Sequence, residues 1–321
     1  MRSVDDDADD ADRVAELPAD PPHSAPAARA IRDATFRFVA AGLLALALAA
    51  VAYVGLVTTE TGQRIENLAL RGSELRTPTE REAALGRLSI VTVAGVALAV
   101  TGVLTIGFLR KREPLAVLAA STMIGAIVLV EILKEVLPRP TLVDGPPWLL
   151  RNSFPSGSAA VATAIAVGAF LVAPDRLRWA ALVAGALIAA IVGEAVQTTG
   201  WHRLSDTIGG VCIVIAVSAL GLALLSTSGF VEYSGAARID RRLLAGLAAL
   251  AVAMVALGAA LALLPVAFPL VGAPVGARRS ILQTAFPIIG VGITILALTA
   301  FARVTEPFSL GRRRTGVAPG D

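Results

Sequence analysis

Long apolar runs separated by short polar connections dominate the chain. They lie at Phe36–Val57, Leu88–Leu109, Pro114–Leu137, Gly157–Val172, Leu177–Thr198, Asp206–Leu225, Leu243–Leu264 and Ile281–Phe301. A helix needs roughly 20 apolar residues to cross about 30 Å of hydrocarbon, so the pattern predicts about eight membrane-spanning helices. The runs are rich in Ala, Leu, Val and Gly, and small residues let helices pack closely where no water drives them together. The expected fold is all-α, a polytopic membrane helical bundle. Three segments are expected: a disordered acidic cytoplasmic tail over 1–33, a six-span core over 34–228, and two additional spans with a basic C-terminal tail over 229–321. Pro287 lies inside the last run and is expected to kink it.

Composition agrees with the hydropathy pattern. Of 321 residues 55% are hydrophobic and 17% charged, and the mean hydropathy is +0.73, which is too apolar for a soluble globular domain. The opening stretch "MRSVDDDADDADRVAELPADPPHSAPAARA" has acidic residues, Pro and Ala but no apolar stripe, so it reads as a tail and not as a secretory signal. The single Cys212 rules out an intramolecular disulfide and reads as a small buried hydrophobe.

Basic residues near span ends set the expected orientation. With the N-terminus inside, cytoplasmic connections carry Arg110, Lys111 and Arg112, then Arg176 and Arg178, then Arg238, Arg241 and Arg242, then Arg303 and Arg312 to Arg314. Both termini are then cytoplasmic in a multi-pass cell-membrane protein. The connection Thr58–Arg87 interleaves five arginines with Glu60, Glu66, Glu74, Glu80 and Glu82, and reads as a solvated, partly helical cap over the bundle.

This topology brings three polar clusters to one face, the outer one on that orientation: Lys134 with Arg139 in "LKEVLPRP", Ser156 and Gly157 in "FPSGS", and His202 with Asp206 in "GWHRLSD". A helix starting at "PSG" directs unpaired backbone N–H groups and its positive dipole end outward, and Gly157 admits an anion close to the backbone. Taken alone, Ser156 also reads as an ordinary N-cap. Lys134 can neutralise phosphate charge while Arg139 holds an oxygen pair, or Lys134 can serve as an interfacial anchor paired with Glu131. His202 and Asp206 stand four apart, so on a helical turn the carboxylate can hold one ring nitrogen and leave the other free to attack.

Together these motifs resemble those of the type 2 phosphatidic acid phosphatase and haloperoxidase superfamily, whose signature runs Lys…Arg-Pro, Pro-Ser-Gly-His, then Ser-Arg…His…Asp. The resemblance covers roughly Phe36 to Leu225, a six-span core. It implies that Lys134 and Arg139 bind phosphate, that Ser156 and Gly157 cradle it, that His202 attacks phosphorus and that Asp206 orients His202. The chain departs from the signature at three places. Lys134 and Arg139 are more closely spaced, Ala195-Val196 replaces Ser-Arg, and Ser158 stands where the family carries the histidine that protonates the leaving group. Arg203, beside His202, is a candidate replacement for the lost cation.

A serine hydroxyl is no proton donor near neutral pH, and general acid catalysis typically supplies about 10²–10⁴ in rate. An alkoxide leaving group, near water's pKa of about 15.7, needs that help far more than a phosphate leaving from a diphosphate, with a pKa of roughly 6. A lipid diphosphate, such as an isoprenoid diphosphate, is therefore the membrane lipid phosphate that best tolerates Ser158. Two other readings stand beside a phosphatase: a pseudoenzyme that binds a lipid phosphate or a partner without turnover, and a transporter whose Glu131, Lys134 and Glu194 line a pathway. The chemistry needs no metal or organic cofactor, and His23 and His202 are the only histidines. The tail "GRRRTG" reads as a membrane anchor and not as a nucleic-acid site.

Overall fold

The computed structural model describes residues 24–89, 91–228, 230–233, 239–267, 275–306 and 308–310. The acidic stretch 1–23 and the basic tail with Arg312 to Arg314 lie outside the described residues. Ser24 to Asp33, expected within the tail, belong to the first helix, α1 (Ser24–Ala52), which a π-helical turn, Tyr53–Val57, extends.

Helices make up most of each apolar run, the second being divided where one helix ends at Leu88 and the next begins at Val93. After α1 come α2 (Glu60–Gly72), α3 (Pro78–Leu88), α4 (Val93–Leu109), α5 (Glu113–Val136), the short α6 (Pro147–Leu150), α7 (Gly157–Val172), α8 (Arg178–Thr198), α9 (Leu204–Thr227), α10 (Arg241–Ala267) and α11 (Val275–Thr305). Seven helical stretches among the described residues are long and apolar enough to cross a membrane, and α7, at 16 residues, is the shorter eighth. At 1.5 Å per residue α7 is about 24 Å long. Its brevity fits its place, because most of its side chains are buried among α5, α8 and α9 and few meet lipid. Pro287 is buried within a continuous α11.

The buried core centres on α7 and α9, with α5 and α8 around them and α1 along the outer side of α9. Ala is the most frequent residue of this core, as expected where close backbone approach replaces the hydrophobic effect. Helix α11 packs on α8, α9 and α2, whereas α10 leans mainly on α11 and stays largely exposed. At the end of the bundle where α7 and α9 finish, two short antiparallel strands, β1 (Val231–Tyr233) and β2 (Phe308–Leu310), pair Glu232 with Ser309. There Arg110 donates to the carbonyls of Val172 and Ala173 at 2.7 and 2.9 Å, and Arg178 lies 4.6 Å from the centre of the Phe170 ring.

The opposite end is more polar and carries α2, α3 and the connections 137–156 and 199–203. The expectation of a solvated cap fails for α2. Its Gln63, Glu66 and Asn67 are 1%, 1% and 4% exposed, because their spacing of three and four residues puts them on one helix face and that face is pressed into the bundle.

Candidate functional site

Helix α8 stops at Gly200, whose φ of +75° is a left-handed turn that glycine enters without strain. The N–H groups of Trp201 and His202 both return to the carbonyl of Val196, at 3.0 and 3.1 Å. This tight turn delivers His202 to the bundle end just before α9 begins. The His202–Asp206 pair was expected on a helical turn, but His202 precedes the helix, and the contact is made across its N-terminus. His202 Nδ1 lies 3.3 Å from Asp206 Oδ2.

Asp206 is fully buried, and Oδ2 also accepts from Ser153 Oγ at 2.6 Å and from the Arg203 N–H at 2.8 Å. The last bond satisfies one of the donors that a helix start leaves open. With three donors on one oxygen, the carboxylate is held in a fixed orientation against the ring. Asp206 Oδ1 has no hydrogen-bond partner among the described residues.

Arg203, 4% exposed, turns its guanidinium inward. It donates to Ser153 Oγ at 2.8 Å, to Asn67 Oδ1 at 3.2 Å and to the Leu149 carbonyl. Arg139 is close enough to feel the charges of Arg203, Glu66 and Asp206. Its Nη1 and Nη2, both buried, have no hydrogen-bond partner among the described residues. Burial, with the Arg203 charge nearby, pushes the Arg139 guanidinium below its ordinary range, and the two carboxyl groups pull the other way. A half-buried guanidinium with open donors beside a histidine is suited to receive an oxyanion.

Ser156 is the N-cap of α7: its Oγ accepts from the Ala159 N–H at 3.3 Å. The Ser156 N–H donates to the Asp206 carbonyl at 2.8 Å, which fastens the start of α7 to the start of α9. Lys134, in the last turn of α5, meets both oxygens of Glu131 at 2.8 and 2.9 Å. This pair faces Gly157, where a Cβ would come within 2.5 Å of Glu131 Oε1 and 3.6 Å of Lys134 Nζ. Asn152 ties the region together by donating to the carbonyls of Lys134 and Leu137 at 2.9 and 3.0 Å. Ser158, the second residue of α7, is half-buried. Glu194, named with Glu131 and Lys134 as a candidate pathway residue, is bound to Arg87 at 2.6 Å and to Thr198 at 2.6 Å near the end of α8.

The motif reading did not find Ser153, nor the buried face of α2. Glu66 accepts from the Ser205 N–H at 2.7 Å and from Ser205 Oγ at 2.9 Å. Burial, and then the charge of Asp206, raise its carboxyl to about 7, while the bonds from Ser205 and the charge of Arg203 act in the opposite direction. The available signal was the spacing of Gln63, Glu66 and Asn67 on a short helix. The interleaved charges of that segment concealed it.

Residues 89–230 match the family model of the PAP2 superfamily. Searches of the curated proteins and of the solved structures gave no match. Members of this superfamily are generally phosphatases acting on phosphate esters. The matched segment, which includes Lys134, Ser156, His202 and Asp206, is similar to the PAP2 superfamily.

Proposed function

We propose that the chain is an integral membrane phosphatase that hydrolyses a lipid phosphate or diphosphate through a phosphohistidine at His202. The pairing of His202 Nδ1 with Asp206 Oδ2 at 3.3 Å carries this proposal. A proton on Nδ1, directed at the carboxylate, leaves the lone pair on Nε2. Nε2 attacks phosphorus as the bond to the leaving oxygen breaks, and Asp206 stabilises the imidazolium that forms. Water then attacks phosphorus, the P–N bond breaks, and inorganic phosphate leaves with the imidazole restored. Arg139 meets the phosphoryl oxygens with its open donors, Lys134 and the first turn of α7 with Ser156 and Gly157 hold the anion from the other side, and Arg203 adds a fixed positive charge.

Ser158 favours a diphosphate substrate within this scheme, because a departing phosphate needs no proton at neutral pH and a departing alkoxide does. Ser158 and Val196 also favour a second reading, in which the same site binds a lipid phosphate without turnover. Release of inorganic phosphate from an isoprenoid diphosphate by purified protein in detergent separates the two. The wild type should turn over, His202→Ala should abolish turnover, and Asp206→Asn should reduce it strongly. Undiminished release by His202→Ala would remove the nucleophile assignment.

A further inference from the structure

We infer that α2, which lies outside the segment matched by the family model, is part of the phosphatase site, and that Glu66 is a positioning residue capping α9 from another helix. This inference rests on the function proposed for His202. The first N–H groups of a helix have no partner within it, and the N-cap side chain usually supplies one. At α9 the N-cap is Arg203, whose side chain has no acceptor. Glu66 fills that role by accepting both the N–H and the hydroxyl of Ser205 at 2.7 and 2.9 Å. Ser205 is the second residue of α9, directly before Asp206.

The same face of α2 holds two further parts of the site. Gln63 Nε2 donates to the Pro140 carbonyl at 2.7 Å and to the Val57 carbonyl at 2.8 Å, which fixes the segment next to Arg139. Asn67 accepts from Arg203 Nε at 3.2 Å. Three residues at spacings of three and four therefore set the positions of the Arg139 segment, the Arg203 guanidinium and the start of α9 relative to one another. In this chain the usual motif arginine is replaced by Val196, and Arg203, which α2 helps to aim, supplies the nearby guanidinium. A turn of helix that is free to shift moves His202 relative to the phosphoryl group, and a misplacement of about 1 Å can cost about 10²-fold in rate.

The chain has two histidines, so a His23→Gln background leaves His202 as the one imidazole, and its Nδ1 resonance can be followed by nitrogen NMR in detergent. In that background, Glu66→Ala should shift or broaden the His202 resonance and lower kcat for an isoprenoid diphosphate by up to about 10²-fold, with a smaller change in KM. Glu66→Gln should restore both, since its amide oxygen accepts the Ser205 N–H and its NH₂ meets the hydroxyl. Arg64→Ala, on the exposed face of α2, should change neither. If Glu66→Ala does not fold, Ser205→Ala, which removes the hydroxyl bond to Glu66 and keeps the N–H bond, and Asn67→Ala, which removes the α2 contact with Arg203, take its place, and each should displace the resonance by a smaller amount. An unmoved His202 resonance in folded Glu66→Ala, or in both replacement variants, overturns the inference. A moved resonance in protein that releases no phosphate supports the positioning role while the proposed activity fails.

Discussion

Ser158 is the residue at which the site departs furthest from the family signature. It follows Gly157 directly at the start of α7 and is half-buried, so a larger polar side chain there lies at the edge of the proposed phosphate position. Ser158→His should supply the missing proton donor. Hydrolysis of lipid monophosphates should rise by up to about 10²–10⁴, and hydrolysis of diphosphates should rise less, because their leaving group is already acidic enough. Phosphate release from a matched monophosphate and diphosphate of the same lipid measures the contrast. An equal gain on both substrates would place the effect in the hydrolysis of the phosphohistidine. His202, Asp206 and the approach of Lys134 to Gly157 were legible in the sequence because each depends on short spacings and on alternation of the spans. Ser153 was not. Its contacts with Asp206 and Arg203 join residues 50 or more positions apart, and no local pattern marks them.

Among the elements, the apolar spans were legible and α2 was not, for a physical reason. A span is written in composition alone, since every residue facing lipid must be apolar. Helix α2 has a polar face directed into the protein and charged residues directed outward, so its sequence resembles a solvated helix on both sides. Its burial has a measurable consequence. Glu66 is surrounded by Ser205, Asp206 and Arg203, with Arg139 nearby, and its carboxyl is raised from 4.5 to about 7. A carboxyl whose pKa is higher folded than unfolded binds its proton more tightly in the folded state. The stabilisation that results is fully present below about 4.5 and is lost as pH rises through about 7. Glu66→Gln keeps the shape and neutrality of the protonated form. Thermal midpoints in detergent should therefore be similar for wild type and Glu66→Gln near the acidic end of this window, and the variant should become the more stable of the two as pH rises past the upper end. A constant difference across the window would show that Glu66 ionises as freely in the fold as out of it.

At the scale of the whole molecule, the two ends of the bundle are chemically different. One end gathers His202, Asp206, Arg203, Arg139, Lys134 and the polar face of α2. The other gathers Arg110, Arg112, Arg176 and Arg178 around the ends of α4, α7 and the start of α8, with Arg241 and Arg242 at the start of α10. Arg and Lys near span ends favour the cytoplasmic side, whereas Asp and Glu count for little. The site end also carries Arg64, Arg71, Arg76, Arg81 and Arg87; Arg64, Arg76 and Arg87 are paired there with Glu60, Glu80 and Glu194, as Arg112 is with Asp175 at the other end. The orientation expected from the basic connections would turn the site outward, and its substrate would then be a headgroup in the outer leaflet. Single cysteines test the assignment in a Cys212→Ser background, which removes the one native thiol. Asp144→Cys reports the site end and Arg176→Cys the opposite end, and both positions are exposed. In intact cells a membrane-impermeant maleimide should label Asp144→Cys, and it should reach Arg176→Cys only after the membrane is opened. Labelling of Arg176→Cys alone in intact cells would reverse the orientation and assign the site to the cytoplasmic leaflet, while leaving the geometry of His202 and Asp206 unchanged.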